Sequence, residues 1–299
     1  MTAGAVRHTG ADLSDDRSAF GAYALSPWRE ALRLWAAGLG RGALARRVCS
    51  VVRRAVSAGR RGPFDVEAFP GQRARLYPDQ NLSDKRVFAG VQFWDWMERA
   101  ALGDAIRAAD EPVYVVDAGA NAGLYSLAVR AEAGGKSLRV LAIEPDPENV
   151  RRLKFNLAAS GADEVAVAEV ALGDREGEIR IEASHANRGE LRTGTQGTPV
   201  AMRPLFAVVR WAAFPRVDAL KIDIEGMEET VLGSYLRDAP EDLWPRLVIL
   251  EAQRGEMTPA LQMLLDHGYR TEIRTRMNAV LRLARAGVGT GTDADDVKA

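Results

Sequence analysis

The chain has 299 residues, of which 47% are hydrophobic and 27% are charged, so it can form a folded core and is neither disordered throughout nor collagen-like. Its net charge of −1 excludes a uniformly basic nucleic-acid binder. The single cysteine, Cys49, excludes an internal disulfide and a cysteine-based zinc site, and it favours a reducing, cytoplasmic location.

The N-terminal part of the chain carries two distinct segments. Residues 1–25 lack the continuous apolar stretch of a secretory signal, and their composition predicts a flexible tail. Residues 26–62 form a basic arm, because positions 26–61 hold nine arginines and one glutamate. Apolar residues recur at helical spacing from Trp28 to Val52, with the arginines mostly on the other face. This pattern predicts two amphipathic helices separated by glycines.

Two interpretations of the basic arm stay open. The arm either packs on the main domain and leaves its basic face in solvent, or it makes a peripheral contact with an anionic membrane. Nowhere does the sequence contain 18 consecutive apolar residues, so it predicts no membrane-spanning helix.

Residues 63–111 form a preamble to the catalytic domain. Residues 73–77 are predicted as a short strand and residues 90–109 as a helix that carries several aromatic side chains. We expect these aromatics mainly in the core. Trp94 is in addition a candidate substrate contact.

From residue 112 to residue 284, short apolar strands alternate with helices of 10–15 residues. This alternation predicts a doubly wound α/β fold whose sheet is mostly parallel, with ligands at the carboxyl ends of the strands. Residues 285–299 contain little apolar material and are predicted as a second flexible tail. The predicted strands are residues 113–117, 138–143, 164–172, 177–183, 217–224, 247–251, 269–275 and 277–283.

The turn after the first of these strands indicates the kind of ligand. It begins with Asp117 and contains Gly119 and Gly123, so it lacks the G-x-G-x-x-G spacing of a dinucleotide site. An acid beside this turn opposes a pyrophosphate but suits the amino-acid end of S-adenosylmethionine. Glu144 ends the next strand, where a carboxylate can accept hydrogen bonds from both hydroxyls of a ribose. Together the two acids predict a nucleoside cofactor.

Four sequence blocks resemble the FkbM family of class I S-adenosylmethionine-dependent methyltransferases. They are residues 116–126 (VDAGANAGLYS), residues 143–145 (IEP) with Asn149 and Leu153, residues 171–174 (ALGD), and residues 220–228 (LKIDIEGME). The last block is the most specific. The resemblance implies a Rossmann-like, seven-stranded sheet, here with an N-terminal helical extension.

The resemblance also implies the roles of several residues. It assigns Asp117, Gly119, Asn121 and Gly123 to the methionine end of the cofactor, Glu144 to the ribose and Asp174 to the adenine. Members of the family are mostly O-methyltransferases that act on hydroxyls of sugars, glycolipids or polyketides. Residues 183–190 resemble the family's substrate loop, in which Asn187 is a candidate substrate contact.

Alternating charges at the end of a buried strand mark the candidate catalytic residues. Lys221, Asp223 and Glu225 are expected on one face of the strand, and Asp223, Glu225 and the loop residue His185 are candidates for the base that removes a hydroxyl proton. Glu228 is either a substrate contact or an acid that favours a helix N-terminus. Asp223, Glu225 and Glu251 could bind Mg²⁺, but pairing with Lys221 is the preferred interpretation, so no metal is assigned.

The predicted function is therefore transfer of a methyl group to a hydroxyl of a small molecule, sugar, glycolipid or polyketide-type product. One alternative is a nucleic-acid methyltransferase that uses the basic arm for phosphate contacts. Another is a non-catalytic nucleoside-binding module that docks a partner or a membrane. No nucleic-acid partner is expected, because the arm lacks an aromatic–basic platform and the catalytic half is acidic.

Overall fold

A computed structural model describes residues 15–183, 191–193 and 197–284, and the predicted α/β fold with an N-terminal helical extension is confirmed. The helices and strands, in chain order, are α1 Pro27–Ala37, α2 Ala43–Ser57, β1 Phe64–Phe69, β2 Gln72–Leu76, α3 Leu82–Phe88, α4 Trp96–Ala108, β3 Val113–Ala118, α5 Leu124–Ala133, β4 Leu138–Ile143, α6 Pro147–Ala159, β5 Val165–Ala168, β6 Ala171–Gly173, β7 Gly177–Ala183, β8 Leu191–Thr193, β9 Thr198–Pro204, α7 Leu205–Trp211, β10 Ala219–Ile222, α8 Glu228–Asp238, β11 Leu247–Glu251, α9 Pro259–Asp266, β12 Tyr269–Arg274 and β13 Asn278–Leu283.

The central sheet has seven strands in the order β12–β13–β11–β10–β3–β4–β5. The five strands from β11 to β5 are parallel. At one edge β13 pairs antiparallel with β11, and β12 pairs antiparallel with β13, so β12 runs in the same direction as the five parallel strands. The chain extends the sheet from β3 to β5 on one side and then returns to place β10 and β11 on the other. The strand order therefore reverses between β3 and β10, where open α/β sheets bind their ligands.

Two hydrophobic cores cover the two faces of this sheet. Successive residues of β3 supply both, since Val115 belongs to one core and Val116 to the other. The first core includes side chains from α1, α2 and α4 to α6, and the second is formed with α7, α8 and α9. This burial on both faces explains why the central strands read as continuous apolar runs rather than as alternating ones.

The preamble differs from its prediction in two places. The predicted strand over residues 73–77 is β2, but it pairs with a second strand, β1, that was not predicted. The predicted helix over residues 90–109 is interrupted, because a 3₁₀ turn over Val91–Phe93 ends at Trp94 and α4 starts only at Trp96. Between them Asp95 has a positive φ of 42°, a left-handed backbone conformation that an α-helix does not accommodate.

Residues 15–25, the second part of the predicted tail, contact the preamble. Asp65 accepts hydrogen bonds from the N–H groups of Gly21 and Tyr23, at 2.7 and 3.1 Å. The buried Arg75 guanidinium binds Asp65 and also donates to the carbonyls of Asp15 and Ser18. Residues 1–14 and the predicted tail over residues 285–299 lie outside the described residues.

The basic arm packs on the main domain, but through a face other than the one predicted. Ala36 of α1 and Cys49, Val52 and Val56 of α2 are buried in the first core. The large apolar side chains of the arm that remain more than half exposed are Trp28, Leu34, Trp35, Leu44 and Val51. Both tryptophans belong to the face that was predicted to be buried.

The single strand predicted over residues 164–172 is divided between two sheets. Residues 164–172, predicted as one strand, form β5 in the central sheet and β6 in a separate four-stranded sheet with order β6–β9–β7–β8.

Among the helices of the described residues, none combines the length and the apolar character needed to cross a membrane.

Candidate active site

A cavity of about 520 Å³ lies at the carboxyl edge of the central sheet. Its floor is built by the turns that follow β4, β3 and β10, which are neighbouring strands in register, since Ala118 pairs with both Ile143 and Ile222. Along this edge the order of the polar residues is therefore Glu144, the turn at Gly119, Asp223 and then Glu251. The remaining walls come from α3, the Trp94–Asp95 turn, β6, β7 and the start of β13.

The turn after β3 brings two loops into close contact. Gly119 has a φ of +78°, and a Cβ at this position would lie 1.8 Å from the carbonyl oxygen of Asp223. No other residue fits here, because neither the backbone conformation nor the space allows a side chain. Asn121 also has a positive φ, and its side-chain oxygen accepts a hydrogen bond of 2.8 Å from Asn81 of the preamble. The preamble thus helps to fix the shape of the turn.

Glu144 is a buried carboxylate that lines the cavity beside this turn. It accepts hydrogen bonds from the backbone N–H groups of Asn121, at 2.8 Å, and Asp146, at 3.0 Å. Burial raises the pKa of Glu144 to about 7, although these two hydrogen bonds oppose the shift. A carboxylate held in this way keeps acceptor capacity for hydroxyl donors in the cavity.

Asp117, predicted as a cofactor ligand, lies beneath the cavity and does not line it. One of its oxygens accepts a hydrogen bond of 2.7 Å from Ser126, and the other has no hydrogen-bond partner among the described residues. Burial raises the pKa of Asp117, and the nearby Lys221 opposes that shift. Gly123 lies outside the lining as well, with Leu153 packed against it.

Lys221 and Asp223 form an ion pair at the carboxyl end of β10, with 3.3 Å between Nζ and Oδ2. Lys221 also donates to the carbonyl oxygen of Gly119, at 3.1 Å. Burial opposes ionisation of Asp223, but the Lys221 charge and a hydrogen bond with Glu251 hold its pKa below the usual value. Burial and the Asp223 charge raise the pKa of Glu251 to about 8. At neutral pH the two carboxyl groups therefore share one proton.

Glu225 also lines the cavity, but the predicted alternation along one strand face is wrong at this position. The strand ends at Ile222, and Glu225 has a φ of 56°. Because the backbone leaves the extended conformation, its side chain no longer follows the two-residue period that relates Lys221 to Asp223.

Three side chains from the preamble and α5 form the opposite wall. Trp94 is buried and its ring stacks edge-on against Tyr125, with 5.1 Å between the ring centres. The Tyr125 hydroxyl is buried and has no hydrogen-bond partner among the described residues. Asp95 lines the same cavity, and burial together with the Glu98 charge raises its pKa to about 6. Tyr125 and Asp95 were not predicted as site residues.

Two further predicted site residues, Glu228 and Asp174, do not line the cavity. Glu228 accepts hydrogen bonds from the N–H groups of Ile224 and Gly226, so it fixes the loop before α8. Asp174, the candidate adenine contact, is 3.6 Å from Arg175 and lies outside the lining. His185 and Asn187 lie outside the described residues. Within the described ranges, no His, Cys, Asp and Glu side chains are grouped as a metal site requires.

The FkbM methyltransferase domain matches residues 117–271, which is more than half of the chain and includes the turns after β3, β4 and β10. The chain belongs to the FkbM methyltransferase family. It is therefore a methyltransferase, as predicted. The curated protein sequences include no match to it.

Solved structures with a similar fold share little sequence identity with this chain. An FkbM methyltransferase from Methylobacillus flagellatus KT is 18% identical with a TM-score of 0.42, and the match covers 68% of this chain and 54% of that protein. A precorrin-6y C5,15-methyltransferase from Geobacter metallireducens GS-15 is 17% identical with a TM-score of 0.40, covering 63% and 87%. A ribosomal protein L11 methylase from Lactobacillus delbrueckii subsp. bulgaricus is 15% identical with a TM-score of 0.37, covering 63% and 78%.

Proposed function

We propose that this FkbM-family protein uses S-adenosylmethionine to methylate a hydroxyl oxygen of a small molecule, a sugar or glycolipid, or a polyketide-type product. The observation that supports the proposal is the division of the cavity by the turn at Gly119. On one side lies Glu144, an acceptor suited to a ribose diol, and on the other lie Asp223 and Glu251. One cavity can therefore hold a nucleoside cofactor beside carboxyl groups that handle a proton.

The described residues fit this cofactor. Glu144 would accept hydrogen bonds from the ribose hydroxyls, held in position by the Asn121 N–H group. The Tyr125 hydroxyl, which has no partner within the described part of the chain, would bind the methionine end. Burial holds the pKa of Tyr125 well above 10, so the hydroxyl keeps its proton as a donor. S-adenosylmethionine, when bound, supplies an electrophilic methyl group on a sulfonium.

The acceptor side must align a hydroxyl oxygen with that methyl group and take up its proton. Asp223 is the first candidate base, because Lys221 keeps it ionised and fixes its position. Asp95 is a second candidate, since its pKa of about 6 leaves it largely ionised at neutral pH. Glu251, protonated at neutral pH, would donate its hydrogen bond to Asp223.

Isothermal titration calorimetry with S-adenosylmethionine tests the cofactor assignment. We expect Glu144→Ala to weaken binding by about tenfold or more, since it removes the hydrogen bonds that this carboxyl group would accept from the two ribose hydroxyls. Glu169→Ala, a change at an exposed glutamate paired with Lys154, is the matched control. If the protein does not bind S-adenosylmethionine, or if both variants bind like the wild type, the assignment is wrong.

The methylated atom is tested with cofactor carrying ¹³C in the transferred methyl group. After incubation with a cell extract, the carbon chemical shift of the labelled product separates methyl on oxygen from methyl on nitrogen or carbon. We expect an O-methyl signal in the small-molecule or lipid fraction. An N-methyl or C-methyl signal would overturn the proposed O-methylation, and label in the RNA fraction would favour the nucleic-acid alternative.

A further inference from the structure

The arm helices α1 and α2 each expose large apolar side chains that the fold does not bury. Its large side chains are Trp28, Leu34 and Trp35 on α1 and Leu44 and Val51 on α2, each more than half exposed. Trp28 and Trp35 are seven residues apart, as are Leu44 and Val51, so each pair lies on one side of its helix. We call these five residues the arm surface.

The arm surface is interleaved with positive charge. Arg47 lies three residues after Leu44, and Arg54 three residues after Val51, so both belong to the exposed side of α2. Neither forms a salt bridge within the described part of the chain, where Arg33 is the arm arginine paired with a carboxylate. Apolar side chains therefore stand beside cations whose charge is not compensated by neighbouring acids.

Hydrogen bonds at α1 and at the loop between α1 and α2 hold the arm in place. The Gln92 amide donates to the Ala36 carbonyl at 2.8 Å, and Arg41 donates to the Gln92 carbonyl at 3.0 Å. Arg33, which is buried, donates to the Glu67 carbonyl at 2.9 Å. The arm surface is thus already formed in the free protein, so binding through it needs little ordering of the backbone.

We propose that the arm surface docks this protein peripherally on an anionic lipid bilayer. Tryptophan suits the boundary between headgroups and acyl chains, because its ring is apolar and its N–H is polar. Leucine and valine add buried apolar area, and arginines attract anionic headgroups. Exposed aliphatic side chains would contribute nothing to a nucleic-acid phosphate contact, so charge and apolar surface together favour the bilayer.

Docking through the arm surface leaves the side of α2 that faces α4 accessible to solvent. Arg46, Cys49, Ser50 and Arg53 line a groove against α4 that shares Arg86, Asp95 and Met277 with the candidate active site. These four groove residues lie on the side of α2 away from Leu44 and Val51. The bilayer would therefore bind the arm without covering the groove.

Vesicle co-sedimentation of the full chain tests the proposal. We expect binding to vesicles of phosphatidylcholine with phosphatidylglycerol, weaker binding at high salt, and little binding to phosphatidylcholine alone. The double variants Trp28→Ser/Trp35→Ser and Arg47→Glu/Arg54→Glu should each lower the partition coefficient by about tenfold or more. Trp211→Ser is the matched control, because Trp211 is 58% exposed on α7, outside the arm.

A second measurement distinguishes lipid contact from other uses of the arm surface. Bromine-labelled lipids should quench tryptophan fluorescence in the wild type and quench it less in Trp28→Ser/Trp35→Ser, while circular dichroism shows both proteins folded. The proposal is overturned if anionic vesicles do not bind the wild type. It is also overturned if the tryptophan variant binds them as well as the control, or if size-exclusion chromatography instead shows a dimer that the tryptophan changes dissociate.

Discussion

The ion pair between Lys221 and Asp223 explains why charged residues occupy the end of a buried strand. Lys221 is buried and Asp223 is partly exposed, so the Asp223 carboxylate lowers the cost of burying the Lys221 ammonium, which also binds the Gly119 carbonyl of the neighbouring turn. The pair therefore ties the loop after β10 to the loop after β3. It also places an ionised carboxylate in the cavity, with Glu251 as its proton-sharing neighbour.

Replacing Asp223 with asparagine should keep cofactor binding and lower turnover by about 10²–10⁴-fold, the usual contribution of a general base.

Asp95→Asn tests the second candidate base. If Asp95 is the base, this variant should lose the acidic limb near pH 6 from the pH dependence of kcat/KM. The exposed Asp242→Asn serves as control for both. Calorimetry and methyl-transfer rates check the outcome, and full turnover in Asp223→Asn would assign that residue a structural role.

Local sequence signals gave part of the candidate site and left out the rest. Glu144 and Asp223 follow apolar strands and Lys221 lies near the end of one, so strand topology alone brings them to one edge of the sheet. Asp95 lies 18 residues before the start of β3 at Val113 and reaches the cavity through a left-handed turn between two helical segments. Nothing in the local pattern predicts that turn, because packing of Trp94 in the core determines it.

At the scale of elements, the accuracy of a prediction follows the strength of its local signals. Helix α6 forms between the strands predicted over residues 138–143 and 164–172, as the predicted alternation requires, because Asp146 caps its first turn and Pro147 occupies a first-turn position where no N–H is needed. The face that α1 buries was predicted wrongly. Hydrophobic spacing favoured Trp28 and Trp35, but Arg33 is buried instead, where Glu30 and the Glu67 carbonyl bind its guanidinium. Tertiary contacts thus override the periodicity.

The hairpin of β1 and β2 depends on a buried ion pair that also holds residues 15–25. Arg75 and Asp65 are both almost fully buried, with 2.7 Å between Nε and Oδ1. Arg75→Met should lower the free energy of unfolding by about 3–5 kcal/mol, because it leaves the Asp65 carboxylate buried without its cation. Urea denaturation measures this change.

Arg282→Met provides the comparison for that experiment. Arg282 pairs with Glu272 where both side chains are partly exposed, so its loss should cost about 0–1 kcal/mol. Limited proteolysis should also cut the Arg75 variant within residues 15–25 faster than the wild type. Equal stability losses in the two variants would mean that the buried pair does not anchor the hairpin.

For the whole molecule, a net charge of −1 conceals two regions of opposite character. The arginines concentrate in the arm, whereas the cavity is lined by the acids Asp95, Glu144, Asp223, Glu225 and Glu251. Burial raises the pKa of several carboxyl groups of the core and cavity. The pKa is about 6 for Asp84 and Asp95, about 7 for Glu144 and about 8 for Glu251.

These shifts predict how the stability of the whole protein depends on pH. Between pH 5 and pH 8 the folded chain holds protons on these carboxyl groups that the unfolded chain, with ordinary pKa values near 4, has released. Folding therefore takes up protons in this window, and the free energy of unfolding should fall as the pH rises. The lowered pKa values of Asp15 and Asp223 act only below about pH 4, so they do not offset the trend.

Thermal unfolding in the absence of cofactor, followed by circular dichroism from pH 5 to pH 8, measures the trend. The apparent Tm should decrease across this range, and Glu251→Gln should flatten the decrease, most visibly between pH 7 and pH 8, because Glu251 is the group that still holds its proton in the folded chain there. Glu169→Gln, at an exposed position, should reproduce the wild-type slope. A Tm that rises with pH would contradict the raised pKa values of these carboxyl groups as a set. A Glu251→Gln slope equal to that of the wild type would show that Glu251 is already ionised in the folded protein at neutral pH. Asp223 and Glu251 would then carry two charges rather than share a proton.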